Sequence, residues 1–134
     1  MLNTFPSLLT FGLLAPFIIR VVLALVFIHA GYLKIFERRE STVSLFENLK
    51  FPAPAVFVWV ISLAEIFAGV FLLAGFGTQI AAIFIFIISL GGFAVKVYRG
   101  ELLKQSVDFY IFAMVMSLSL VFSGAGFFAV DLPL

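Results

Sequence analysis

One charged side chain, Glu65, sits in the middle of the otherwise apolar run 55–76, and that placement constrains this chain more than any other feature. The run lacks the period-two alternation of a strand, so in lipid only a helix could satisfy its backbone. At 1.5 Å rise per residue it can cross the ~30 Å hydrocarbon core of a bilayer. A formal charge at that depth costs about 2.5–3.5 kcal/mol, and it marks a functional or a pairing site.

Three further runs read the same way, at about 17–36, 80–97 and 109–122, and short connections join them. The expectation is an all-α membrane protein, a four-transmembrane-helix bundle forming a single domain over 1–134. Composition agrees with it. Hydrophobic residues make up 64% and charged residues 11%, with a mean hydropathy of +1.27. Ordinary soluble domains carry about 25% charged residues.

The residues before the first run contain Pro6, Gly12 and Pro16. They read as an interfacial lead-in, with Pro16 in the first turn of a helix, where its missing N–H is harmless. A helix beginning earlier and kinking at Pro16 is the alternative. Residues 1–14 lack the basic n-region of a signal peptide, so the first run reads as a retained span. Between the first two runs, Val43, Phe46 and Leu49 recur every three residues, suggesting an interfacial helix over 41–50 that Pro52 and Pro54 end. A plain solvated loop is the bland reading of the same segment.

Basic residues set the expected orientation. Lys34, Arg38, Arg39, Lys50, Lys96, Arg99 and Lys104 lie at one end of the runs, and Arg20 alone lies at the other. By the positive-inside rule the charged end is cytoplasmic and both termini are non-cytoplasmic. The expected location is the cell membrane, with the chain crossing it several times. A net charge of +1 offers nothing to nucleic acid, and no Cys is present for thiolate chemistry, disulfides or iron–sulfur ligation. A single His cannot build a three-His zinc site or a bis-His haem site, and no metal site is expected.

Helical geometry sorts the polar residues by face. Arg20 and Gly31 lie about 20° apart around the first helix and Lys34 about 40° to the other side, so Arg20, Ala24, Phe27, Gly31 and Lys34 form one stripe. His29 lies about 180° from Arg20. In the second helix Ser62, Glu65, Gly69 and Leu72 share a face. Ala82, Ile85, Ser89, Gly92 and Lys96 do so in the third, and Tyr110, Met114, Ser117, Val121 and Gly124 in the fourth. Small residues on these faces let helices approach closely. The stripe favours Arg20 over His29 as the partner of Glu65, with Lys34, Lys96, Arg99 and Lys104 as interfacial anchors. Hydrogen bonding, proton handling and helix registration are the roles open to Glu65.

Arg20, then Gly31-Tyr32-Leu33-Lys34, then Glu65-Ile66-Phe67-Ala68-Gly69 with Gly75 and Thr78, resembles the DoxX family. So does the ending, with Gly124-Ala125-Gly126 and Ala129-Val130-Asp131. The resemblance implies a four-helix bacterial or archaeal membrane protein. Some members and relatives are subunits of thiosulfate:quinone oxidoreductase or terminal quinol oxidase complexes, and others associate with thiol or oxidant-defence partners. On that footing the expectation is a redox-associated subunit engaging a quinone or a quinone-reducing partner, with no covalently bound cofactor. Glu65 and Arg20 are the candidate catalytic residues, and Tyr110, Ser117 and His29 the candidate cofactor-binding ones. The chain departs from the family pattern at one point: a His directly before the glycine is frequent there, whereas Ala30 holds that place here. The alternative is a non-enzymatic membrane scaffold or anchor for partner proteins, in which Arg20–Glu65 is structural and the chain can self-associate as a homo-oligomer. A small-solute transporter is the most distant reading, since no internal repeat or pair of broken helices is visible.

Overall fold

The computed structural model describes residues 5–131, and these form helices, turns and a C-terminal tail. Five α-helices follow a short 3-10 helix at Pro6–Phe11: α1 (Leu14–Phe36), α2 (Arg39–Asn48), α3 (Pro54–Ala74), α4 (Thr78–Tyr98) and α5 (Val107–Ser123). Residues 1–4, part of the expected lead-in, lie outside the described residues. Three of the helices, α1, α3 and α4, are long and apolar enough to cross a membrane. The expected fourth span, α5, is an apolar helix of 17 residues, shorter than the others. Helix α1 begins at Leu14, which puts Pro16 in its first turn.

The helices run alternately up and down and pack as two pairs. Helix α1 packs most extensively on α3, and α4 on α5, with lighter contact between the pairs. Close approach of α1 and α3 rests on two glycines. A Cβ at Gly31 would lie 2.8 Å from the Ser62 carbonyl, and one at Gly69 would lie 2.9 Å from the Ala24 carbonyl. Around that contact the core gathers Leu23, Ala24, Phe27, Ala68, Leu72, Ala82, Ile85, Ala113 and Leu120.

Two chain reversals have local causes. Helix α3 stops at Ala74, two residues short of expectation, because Gly75 adopts φ +69° and closes a Schellman cap. In that cap Phe76 N–H donates to the Phe71 carbonyl and Gly75 N–H to that of Leu72. Helix α2 ends the same way on Lys50, at φ 58°, with Phe51 packing edge-on against Phe46.

The expected interfacial helix exists, but it does more than lie on a membrane surface. Leu45, not the Val43–Phe46–Leu49 row, is its buried residue, and α2 packs against α3. The Arg39 guanidinium sits 5.6 Å from the centre of the Trp59 ring, tying α2 to the first turns of α3.

At the opposite end the C-terminal tail folds back over the α3–α4 turn. Phe127 N–H donates to the Leu13 carbonyl and Asp131 N–H to that of Gly75. The Asp131 carboxylate accepts the Thr78 N–H at 2.7 Å, capping the first turn of α4 from 53 residues away in sequence. That donor is the main reason the Asp131 carboxyl titrates below its ordinary range. Gly126, at φ +73°, lies where a Cβ would meet the Leu13 carbonyl and the Phe17 amide.

Candidate functional site

The Cα–Cβ bonds of a helix tilt toward its N-terminus. Helices α1 and α3 are antiparallel, so a side chain near the C-terminal end of α1 leans inward while one in mid-α3 leans out to meet it. Lys34 and Glu65 converge in this way. The Lys34 ammonium donates to Glu65 Oε1 at 2.5 Å, and the carboxylate is 1% exposed against 29% for the lysine side chain.

The expected Arg20–Glu65 pair does not form, and the same tilt explains why. Arg20 leans toward the N-terminal end of α1, away from the end to which Glu65 leans. It is buried, its Nη2 donates to the Phe127 and Phe128 carbonyls, and its guanidinium stacks near Phe17. Arg20 therefore holds the tail, while Lys34, expected only as an anchor, is the counter-charge of Glu65.

The ion pair forms part of the wall of a cavity of about 530 Å³ between the two helix pairs, at the end that carries the charged loops. Small residues make the room: Ala30 on α1, Ser62 on α3, and Ser89, Gly91 and Gly92 on α4. The Tyr110 ring of α5 fits where a Cβ on Gly92 would stand. Helix α2 and the 100–105 connection roof the cavity, with Arg38, Ser41, Thr42, Glu101 and Lys104 near its rim. Lys96 braces that connection by donating to the Gly100 and Leu103 carbonyls.

Three buried polar atoms on the cavity-lining residues have no hydrogen-bond partner among the described residues: Glu65 Oε2, Ser62 Oγ and Ser89 Oγ. A buried polar group left unpaired costs about 1–3 kcal/mol. Three of them around one cavity, with Tyr110 beside them, form a polar focus in an apolar chamber. Its size and lining are those of a small-molecule site, apolar walls with a few convergent polar groups.

The other expected site residues lie elsewhere. Ser117 is buried away from the cavity, and its hydroxyl donates to the Met114 carbonyl in its own helix. His29 is on the exposed face of α1, opposite the packed stripe. Tyr110 alone of the three expected cofactor-binding residues lines the cavity. Ser89 and Lys34 were legible as members of inward faces, but what they face was not.

Compared with known proteins, the family model described as DoxX matches residues 15–97, which run from the start of α1 nearly to the end of α4. The glycine-rich ending and α5 lie beyond the matched residues. No curated protein and no solved structure matches the chain.

Proposed function

The chain belongs to the DoxX family of membrane proteins, and from that premise we propose that it is a redox-associated membrane subunit that holds a quinone head group in the cavity beside Glu65. The observation that carries this reading is the trio of unpartnered polar atoms, Glu65 Oε2, Ser62 Oγ and Ser89 Oγ, around one apolar chamber. A quinone ring offers two carbonyl acceptors on an apolar body with an isoprenoid tail. Serine hydroxyls and Tyr110 can donate to such carbonyls, and Lys34 stands next to the same focus. Glu65 would hydrogen-bond to the reduced form or pass protons to and from it. Electrons would reach the bound quinone from a partner subunit.

In this reading α5 is the fourth span, since 17 residues cover about 26 Å, the lower limit for crossing. Both termini then lie on the non-cytoplasmic side of the cell membrane, and the charged loops with the cavity mouth lie in the cytoplasm. A quinone-reducing partner would dock on that face. Purification from native membranes followed by mass spectrometry of extracted lipids tests the reading. Wild-type protein should carry quinone in near-stoichiometric amount and the Ser62→Ala/Ser89→Ala variant should carry much less. Protein that comes away with phospholipid alone, and that fails to bind an added short-chain quinone, would end it.

A second reading is a membrane scaffold in which Lys34–Glu65 only fixes the register of α1 on α3. The close fit of Gly31 against Ser62 and of Gly69 against Ala24 favours it. It is distinguished by Glu65→Gln lowering stability in detergent without changing ligand content.

A further inference from the structure

The exposed side of α1 carries a regular row. Ile18, Val22, Leu25, His29, Tyr32 and Phe36 are all exposed, at spacings of four, three, four, three and four residues. That is the spacing of a seam between two helices wound in a left-handed crossing. In the middle of the row stands the only histidine of the chain. Its Cβ leans toward the N-terminus of α1, away from the charged end, so the ring cannot easily reach up to the interface. On the three long apolar helices, the remaining exposed faces consist mainly of Ile, Leu, Val and Phe, with Trp59, Gln79 and Tyr98 nearer the helix ends. Ionisable residues within membrane spans almost always face a bundle interior or a watery cavity. A mid-helix imidazole facing outward from α1 is the exception that needs a partner.

We propose that this row is a homodimer seam, with α1 of a second copy packed along it and the two His29 rings meeting across the two-fold axis. Copies of one membrane protein insert in the same orientation, so a two-fold axis along the membrane normal brings His29 to the depth of the partner's His29. A neutral imidazole has one donor and one acceptor nitrogen. One ring's N–H can therefore donate to the other's bare nitrogen, a single bond across the seam that needs no other side chain. The row contains no acid and no base besides His29, which fits self-pairing and gives a charged partner helix nothing to recognise. The seam lies on the opposite side of α1 from the Lys34–Glu65 pair, so the dimer and the cavity are independent of one another.

The chain has no cysteine, so single-cysteine cross-linking in membranes reads the seam directly. Val22→Cys and Leu25→Cys should give a disulfide-linked dimer on mild oxidation, and Ile87→Cys, exposed on the outer face of α4, should not. In lipid-dilution energy transfer, His29→Leu should weaken dimerisation by roughly three- to twenty-fold, the range of interhelical hydrogen bonds in membranes. His29→Gln, which keeps a donor and an acceptor, should recover most of it. Equal cross-linking at positions 22, 25 and 87 would overturn the proposal, as would cross-linking to a different membrane protein or His29→Leu dimerising as tightly as wild type. Because His29 makes no packing contact in the bundle core, an unchanged melting temperature of His29→Leu shows that the loss is one of association.

Discussion

Breaking the Lys34–Glu65 pair from either side should have unequal consequences. In Lys34→Met the apolar stem remains and the cation is gone, leaving a carboxylate that is 1% exposed with both oxygens unpaired. It can stay charged in a dry site or take up a proton. Neutralising an ordinary glutamate at pH 7 costs about 3.7 kcal/mol at 1.36 kcal/mol per pH unit, which caps the loss. The expected destabilisation is therefore about 3–4 kcal/mol, in line with removing one partner of a buried pair. Glu65→Gln leaves the lysine instead. Its side chain is already 29% exposed and it stands two residues from the end of α1, so the ammonium can swing out to the head groups. The expected loss there is about 1 kcal/mol. The double variant should cost no more than about 1–2 kcal/mol, which gives a coupling of about 3 kcal/mol. The sole tryptophan, Trp59 on α3, gives the fluorescence signal for reversible unfolding by SDS in mixed micelles. Additive losses, or Glu65→Gln costing more than Lys34→Met, would refute this account of the pair.

Other perturbations follow from the same geometry. Gly31→Ala should loosen α1 from α3 by about 1–3 kcal/mol, because the new Cβ meets the Ser62 carbonyl and Ile66, and the melting temperature should fall. Ser62→Ala and Ser89→Ala should leave the unliganded protein as stable or slightly more so, since each removes an unpaired buried hydroxyl. Each should weaken binding of a short-chain quinone by roughly two- to ten-fold in a titration. Lys50→Gly should raise stability by about 0.5–1 kcal/mol by relieving a left-handed backbone at the end of α2. The Asp131 carboxyl is held below its ordinary range first by the Thr78 amide and last by the Arg20 charge. A lowered folded-state pKa means that its contribution is complete above the ordinary aspartate value of about 3.9. The contribution is lost as pH falls further, through the folded-state value. Wild type should lose melting temperature on acidification through that range, and Asp131→Asn should start lower and lose less.

Helix positions and inward faces were legible in the sequence because both follow from period and composition. The stripe Ser62–Glu65–Gly69–Leu72 is buried throughout, as its spacing predicts, and so are Ala82, Ile85 and Ser89 on α4. Which charge meets Glu65 was not legible from helix face alone. Arg20 and Lys34 share a stripe, and only the opposed tilt of the Cα–Cβ bonds on antiparallel helices separates them. That tilt is a general property, so the signal was present in the sequence once α1 and α3 were known to pair. The partners of Arg20 could not be read in this way, since they are the carbonyls of Phe127 and Phe128, and a carbonyl leaves no mark in the sequence. The cavity likewise depends on how two helix pairs splay, which small residues permit but do not dictate.

The clasp of Asp131 on Thr78 bears on the order in which the chain can be assembled. A ribosome delivers α4 to the membrane well before it delivers the tail. Until then the first amides of α4 lack the carboxylate that caps them, and Arg20 lacks the carbonyls that hold it inside the bundle. The early helices therefore enter lipid with a buried cation and a helix end both waiting for residues not yet made. Topology reporters fused after Ser123 would probe this unfastened intermediate, and reporters fused beyond Asp131 the finished one. A difference in protease resistance between the two fusions would date the moment at which the bundle locks.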